Sequence, residues 1–199
     1  MPELPEVETT RRGIEPWLVG RRVERLVVRQ PRLRWRVPRS LPAKLAGAHI
    51  RSVGRRAKYL LVGTDAGTII LHLGMSGSLR ILDAATPPLA HDHVDLVLDS
   101  GRCLRFNDPR RFGCLLFTAD EPARHKLLKG LAVEPLSDEF TGEALWRRAR
   151  GRNASVNGPN AIELIALERA DIRYSFSVDC AVPIESEPGA GKSNLGRLR

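Results

Sequence analysis

The chain begins MPELPEVETTRRG, and two of its first residues, Pro2 and Glu3, are types that could do chemistry together. If Met1 is removed, Pro2 carries a free secondary amine with a pKa of about 8, so an appreciable fraction is nucleophilic at neutral pH. Such an amine can attack a sugar C1′ or a carbonyl carbon and form an iminium. The carboxyl group of Glu3 could exchange a proton with the ring oxygen of an opening sugar. The simpler alternative, which this stretch alone favours, is that Pro2 only precedes a helix and Glu3 is a solvated acid.

Two later stretches supply a cation and an apolar side chain. Lys58, in RRAKYLL, interrupts a segment that is becoming apolar. It could contact a phosphate or act as a general acid, or it could be a lysine that protects a sheet edge. Met75, in HLGMSGSLR, lies between Gly74 and Gly77. A methionine on a loop tip can insert between base steps of DNA, although a buried methionine in a hairpin fits the stretch as well.

Histidines and arginines follow in HDHVDL and FNDPRRFG. His91 and His93 invite a metal-site interpretation, but no third ligand is evident nearby. A phosphate contact by one of them fits the basic context better. In the second stretch an Asp-Pro step begins a turn, from which Arg110 and Phe112 project. This pair could enter a duplex and fill a gap in it, or Phe112 could simply anchor the loop.

The charge distribution indicates a polyanionic partner. The 199 residues carry a net charge of +9. Residues 151–199 contain six basic and six acidic residues, so the whole excess lies in residues 1–150. Such an excess is typical of proteins that bind nucleic acid, although a merely basic surface is the alternative.

Other features exclude several classes of protein. The chain has no run of 18 apolar residues, which excludes a membrane-spanning helix, and its charged start is not that of a secretory signal. The three cysteines, Cys103, Cys114 and Cys180, are widely spaced and form no CxxC pair. This pattern predicts neither a disulfide framework nor a zinc knuckle, and it favours a reducing cytoplasm.

Patterning predicts the elements that must position these residues. A helix is expected from Pro5, which suits a first turn, to about Gly20, with Val7, Ile14 and Leu18 on one face. Strand-like segments separated by turn signals such as TDAG and DSG cover 22–29, 49–54, 57–63, 68–74, 79–82, 93–98, 103–107 and 112–118. A run of short strands with tight turns indicates a β-sandwich or barrel.

Together and in this order, these motifs resemble one family. MPELPEVETTRRGIEP, RRAKYLL, LHLGMSGSLRI, HDHVDL and NDPRRFG are similar to the N-terminal half of formamidopyrimidine-DNA glycosylases, bacterial enzymes that remove oxidised purines from DNA. The resemblance implies a monomer that acts on damaged double-stranded DNA in the bacterial cytoplasm, without a membrane. It also implies an N-terminal helix packed on a two-sheet β-sandwich.

The resemblance assigns roles to residues of this chain. Pro2 would be the nucleophile, Glu3 the proton donor, and Lys58 a phosphate neighbour that acts in β-elimination. DNA contacts are implied for His91, Arg110 and Arg152. The void left by a flipped nucleotide would be filled by Met75, Arg110 and Phe112.

The fold class expected is therefore mainly β with flanking helices. The catalytic sandwich would occupy 1–135, and a linker with the start of a second-domain helix 136–156. An atypical and poorly ordered tail, which a shifted reading frame could explain, would occupy 157–199. Short helices are expected at 122–130, 141–150 and 161–169.

The family continues with a helix–two-turns–helix motif and a four-cysteine zinc finger that this sequence does not show. No cofactor is therefore expected in this chain, whereas full-length relatives would bind one zinc. Three functions remain open: a DNA glycosylase and abasic-site lyase, a truncated remnant that at most binds DNA, and an N-terminal-proline enzyme acting on small carbonyl compounds. The basic charge and the Met/Arg/Phe set argue against the last.

Overall fold

The structure, a computed structural model, falls into two units, Met1–Leu131 and Ala132–Arg199. The residues that it describes are 2–131, 133–134, 137–143, 147, 174–177 and 180–183. Within them, no helix has both the length and the apolar character needed to cross a membrane. The predicted boundaries at residues 135 and 156 stay predictions.

Helix α1, Leu4–Leu18, begins directly after Glu3. Pro5 lies in its first turn, where the missing N–H costs no helical hydrogen bond. The carboxylate of Glu6 accepts the backbone N–H of Glu3 at 2.6 Å, as in a capping box. The buried face of α1 consists of Leu4, Val7, Ile14 and Leu18. The predicted helix is confirmed, and the buried Leu4 and Val7 of its first turn anchor the chain start that carries Pro2.

Strands of the first unit form two antiparallel four-stranded sheets, so the predicted two-sheet sandwich is confirmed. The first sheet has the order β1-β6-β7-β5 and the second β2-β3-β4-β8. The strands are β1 Val23–Val28, β2 Ile50–Arg56, β3 Tyr59–Thr64, β4 Gly67–His72, β5 Ser78–Asp83, β6 Asp92–Leu98, β7 Arg102–Asn107 and β8 Cys114–Thr118. The core between the sheets is largely aliphatic and includes Leu60, Leu71, Leu96, Leu98 and Phe106.

Two short segments differ from the sequence predictions. Helix α2, Leu41–Leu45, was not predicted, because five residues including Pro42 are too few to show a helical period. The expected helix at 122–130 is wrong, since the structure has a 3-10 helix at Pro122–Arg124 followed by turns. The strongly apolar residues of this segment are confined to its end, so a longer helix would have no continuous apolar face.

In the second unit, the backbone of β9, Tyr174–Ser177, pairs antiparallel with β10, Cys180–Pro183. The sequence predicts no strand there. The expected helix at 161–169 lies outside the described residues, and 141–150 is described only in part.

An ion network is buried on β6 and β7. Arg105, which is 1% exposed, bonds both carboxylate oxygens of Asp95 at 2.9 Å. Arg29 bonds the same carboxylate, and Arg80 bonds that of Asp92. Burial alone would raise the pKa of Asp95, but the hydrogen bonds from Arg29 and Arg105 outweigh it and hold the pKa below its ordinary value.

This network makes stability depend on acid pH. Because the folded pKa of Asp95 is depressed, its stabilisation is present at neutral pH and is lost as the pH falls through that pKa. We expect the free energy of unfolding in urea to fall below about pH 4. In Asp95→Asn it should be about 3–5 kcal/mol lower at pH 7, because Arg29 and Arg105 would lose their charged partner. If the free energy of unfolding of Asp95→Asn fell as steeply with decreasing pH as that of the native chain, Asp95 would be ruled out as the source of the pH dependence.

Candidate active site

The start of the chain meets the turn between β2 and β3. Lys58 and Ala57 form that two-residue turn, so Lys58 is not a strand residue as its sequence context suggested. The Nζ of Lys58 lies 2.7 Å from Oε2 of Glu3. The Lys58 side chain is 15% exposed and that of Glu3 61% exposed. The pair therefore lies at the surface, where a substrate can reach the carboxylate beside Pro2.

Pro2 lies in an open groove with a volume of about 420 Å³. Glu6 and Thr10 of α1 also line this groove. Leu73 and Gly77, at the ends of the Met75 loop, also line it. The groove at Pro2 therefore extends to both ends of the loop that carries Met75.

The three residues predicted to fill a void lie on two loops. Met75 is 43% exposed and Phe112 is 45% exposed. The guanidinium carbon of Arg110 lies 4.9 Å from the centroid of the Phe112 ring, a cation–π distance. The backbone N–H of Arg110 donates to the hydroxyl of Ser76, the residue after Met75, at 3.3 Å. The loops thus present exposed apolar, aromatic and cationic groups.

A buried carboxylate, that of Asp108, ties these loops together. Its Oδ1 accepts the hydroxyl of Ser76 at 2.7 Å, and its Oδ2 accepts the backbone N–H of Gly113 at 2.7 Å. Its backbone carbonyl accepts the N–H of Arg111 at 3.1 Å and lies 2.8 Å from Nε2 of His93. Since Asp108 is fully buried, these bonds must replace its hydration.

The two loops approach each other backbone to backbone. Gly74 has a φ of +67°, and a Cβ there would lie 2.5 Å from backbone atoms of Phe112 and Gly113. A Cβ on Gly113 would lie 2.6 Å from the carbonyl oxygen of His72. Both positions therefore require glycine for space.

His72 links the loop of Met75 to Tyr59, the residue after Lys58. Its Nδ1 accepts the backbone N–H of Gly74 at 2.9 Å, and its ring centroid lies 4.9 Å from that of Tyr59. Burial lowers the pKa of His72 to about 4, with the charges of Arg34 and Lys58 acting in the same direction. His72 is therefore neutral at pH 7, and the bond to Gly74 assigns its proton to Nε2.

The two histidines of HDHVDL have different surroundings. His93 is 8% exposed and bonds to the Asp108 carbonyl, whereas His91 is exposed at the end of β6. The carbonyl of His91 accepts the N–H of Asp108 at 3.1 Å, which keeps it beside the Arg110 loop. The role of His91 in DNA binding stays a prediction. Arg152 lies outside the described residues.

Backbone strain in the described part of the chain coincides with the predicted site. Its non-glycine residues of positive φ are Ala57 at 48°, His91 at 69° and Arg111 at 57°. Each is a predicted site residue or directly adjoins one. Such conformations cost about 1–3 kcal/mol each and persist only where the surroundings impose them.

In the described part of the chain, no group of three or more His, Cys, Asp and Glu side chains could hold a metal ion. Cys103 and Cys114 are buried free thiols. Burial raises the pKa of Cys114 to about 11, so it stays protonated and unreactive. That the chain needs no cofactor stays a prediction.

Comparison with known proteins decides the family. The sequence model of the formamidopyrimidine-DNA glycosylase N-terminal domain matches residues 1–115. The formamidopyrimidine-DNA glycosylase of Xanthomonas oryzae pv. oryzae is 52% identical over 200 aligned residues, which cover 100% of this chain and 73% of the relative. This chain belongs to the formamidopyrimidine-DNA glycosylase family. The Stutzerimonas stutzeri member is 58% identical over 156 residues, 78% of this chain.

Solved structures of family members have the same sandwich. The formamidopyrimidine-DNA glycosylase of Thermus thermophilus has a TM-score of 0.62 at 39% identity, over 73% of this chain and 52% of that one. The Lactococcus lactis enzyme in complex with abasic-site DNA has a TM-score of 0.55 at 32% identity, over 59% of this chain and 44% of that one.

The extent of the matches bears on the tail. This chain spans 57% of the length of the Stutzerimonas glycosylase. The Xanthomonas alignment nevertheless continues through residues 157–199, beyond the point where the motifs cease to be recognisable. That continuation does not favour the interpretation of the chain as a truncated remnant with an unrelated tail.

Sequence reasoning missed the residues that hold the site. Asp108 was assigned only to the start of a turn, a role that the bond from Arg111 N–H confirms. Its carboxylate contacts lie up to 32 residues away in sequence, at Ser76. His72 gave no signal beyond its place in the motif. The close spacing of Gly74 and Gly77 around Met75 was the available sign of tightly packed loops.

Replacing the Asp108 carboxylate should loosen both loops. In Asp108→Asn the amide nitrogen cannot accept a hydrogen bond. Facing Gly113 it would meet another donor, and facing Ser76 it would force the hydroxyl to accept and to give up the bond that it donates. We expect a loss of about 1–3 kcal/mol in the free energy of unfolding, the cost of an unsatisfied buried group. Urea denaturation measures it, with the exposed Asp99→Asn as the matched control. Equal losses in the two variants would show that the Asp108 contacts do not matter for stability.

The neutral state of His72 can be measured directly. An NMR titration of its ring protons, assigned with His72→Asn, should give a midpoint of about 4. The ordinary pKa is 6.5, so on acidification the unfolded chain takes up this proton before the folded chain does. The free energy of unfolding should therefore fall as the pH drops from 6.5 to about 4. A midpoint near 6.5 would contradict the described burial.

Proposed function

We propose that this chain is a DNA repair glycosylase and abasic-site lyase that removes oxidised purines, 8-oxoguanine and formamidopyrimidines, from double-stranded DNA. The observation that carries this proposal is the 2.7 Å pair of Lys58 and Glu3 beside Pro2. Pro2 lines a groove that Leu73 and Gly77, at the ends of the Met75 loop, also line. We infer from this that an amine, a proton donor and a cation act near a loop whose exposed Met75 is suited to entering a duplex.

In the first step, the nitrogen of Pro2, after removal of Met1, bonds to C1′ of the damaged nucleotide. The bond from C1′ to the base breaks, and the base leaves with the electron pair. The proton lost by the attacking amine balances the one that the base takes up. Ring opening then breaks the C1′–O4′ bond, and the nitrogen lone pair forms an iminium. Glu3 donates a proton to O4′. Lys58 lies close enough to Glu3 to supply its carboxylate with another proton.

In the second step, the iminium makes the C2′ proton acidic. Loss of that proton breaks the C3′–O bond, and the 3′ phosphate leaves with the electron pair. A second elimination, through loss of the C4′ proton, releases the 5′ phosphate. Water then hydrolyses the iminium, which releases the sugar remnant as an aldehyde and restores the amine of Pro2. Lys58 is proposed to act in the β-elimination beside the phosphate backbone.

Base flipping requires that the gap in the duplex be filled. We assign this role to Met75, Arg110 and Phe112, whose insertion would offset the few kcal/mol lost when a base is unstacked. His91 and Arg152 are proposed to contact DNA. The net charge of +9 supports a polyanionic partner. A monomer in the bacterial cytoplasm is part of the proposal.

The relatives support this assignment. Lactococcus lactis members of the family have been solved with DNA containing N7-benzyl-Fapy-dG and with DNA containing an abasic site. These lesions are the kinds of substrate and intermediate that the proposed reaction requires. The structural likeness to these complexes covers 59% of the present chain.

The test is covalent trapping on damaged DNA. Borohydride should reduce the iminium and leave a stable adduct between the chain and an 8-oxoguanine duplex. Pro2→Gly should lose at least about 90% of this adduct, because a primary amine at a mobile residue would not replace the anchored proline. An undamaged duplex is the control. Adduct formation independent of Pro2, or none at all with the native chain, would refute the proposal.

A further inference from the structure

The position of Lys58 is set by contacts that the proposed chemistry does not use. Lys58 lies in a hairpin turn and Glu3 lies at the start of α1, so their 2.7 Å contact joins separate elements. A lysine side chain has four rotatable bonds and considerable rotamer entropy. Some part of the structure must therefore fix the turn relative to the helix.

The turn itself is strained. Ala57, the residue before Lys58, has a φ of +48°, a conformation that glycine adopts more readily than alanine. The Nη1 of Arg55 donates to the carbonyl oxygen of Ala57 at 3.0 Å. This bond holds the peptide group between Ala57 and Lys58, and so fixes the backbone from which the Lys58 side chain extends.

The same guanidinium also reaches helix α1. The Nε of Arg55 donates to Oε2 of Glu8 at 3.1 Å. Their side chains are 8% and 19% exposed, so solvent screens this pair only in part. Burial would raise the pKa of Glu8, but hydrogen bonds from Arg12, Arg55 and Arg11 outweigh it and hold the pKa below its ordinary value.

We propose that Arg55, held by Glu8, is a positioning residue that presents Lys58 to Glu3 and Pro2. One planar guanidinium bonds the helix with Nε and the strained turn with Nη1, and so sets the distance between the two elements. A lysine at position 55 could supply the charge but not this two-sided geometry. The inference rests on the proposed function for its catalytic consequence, but its geometric part is independent of activity.

The geometric part is tested by the accessibility of Lys58 in the full chain. An amine-acylating reagent followed by mass spectrometry gives the acylation rate of Lys58 relative to the exposed Lys129. We expect this ratio to rise severalfold in Arg55→Gln and Arg55→Lys. Arg12→Gln is the matched control: Arg12 bonds the same carboxylate but is 72% exposed and does not reach the turn. An unchanged ratio in both Arg55 variants would overturn the proposal.

The catalytic part is tested on the 8-oxoguanine duplex. In Arg55→Gln we expect single-turnover strand cleavage to slow by about 10-fold to 100-fold, the usual cost of a misplaced catalytic group. The affinity for DNA should be unchanged, and Arg12→Gln should cleave normally. A fall in affinity with unchanged cleavage would assign Arg55 to DNA binding and overturn the positioning role. If the native chain neither traps nor cleaves DNA, the proposed function fails, while the acylation ratio still decides the geometry.

Discussion

The buried carboxylate of Asp108 is the constraint on which the candidate site depends. A fully buried anion is stable only when its oxygens are hydrogen-bonded. Here the two oxygens bind different loops, one through Ser76 and the other through Gly113. The requirement to satisfy one charge therefore fixes the relative position of Met75 and Phe112. The exposed side chains of Met75 and Phe112 are thereby kept away from the core.

Strain around the site follows the same principle. The rigid sandwich imposes left-handed backbone on Ala57, His91 and Arg111, which lie in turns or loops at the ends of strands. In each case a hydrogen bond of the residue itself or of its neighbours holds the conformation. A site prepared in this way loses little further entropy when it acts, which is what positioned catalysis requires. The aliphatic core supplies the stability that makes the strain tolerable.

Much of the scaffold could be predicted from the sequence. Alternating apolar residues and turn signals located the strands, because a strand with one buried face has a period of two. Pro5 and the acidic first turn located α1. Helix α2 and the irregular segment after Pro122 could not be predicted, since short elements depend on tertiary contacts more than on pattern. The proposed catalytic set could be predicted only from the combined motifs, because MPE alone favours a simple helix start.

The contacts that organise the site were not predictable. Glu3 and Lys58 meet because α1 packs against β2 and β3, and Ser76 and Asp108 meet because the two sheets fold together. No local sequence pattern records either contact. Charged residues on central strands, such as Asp95 and Arg105, look like solvated positions until their pairing is known. The sequence therefore predicted which side chains would act, and the structure shows which contacts hold them in place.

Hydrogen exchange in the free chain tests this account most directly. The amide of Gly113 donates to the buried Asp108 carboxylate, and the amide of Gly74 donates to His72. If the loops are fixed before DNA arrives, both amides should exchange only through opening of the sandwich, with protection close to that of the central strand β7. Exchange of both at the rate of an unstructured peptide would contradict the account, because the loops would then be assembled by DNA and not by the fold.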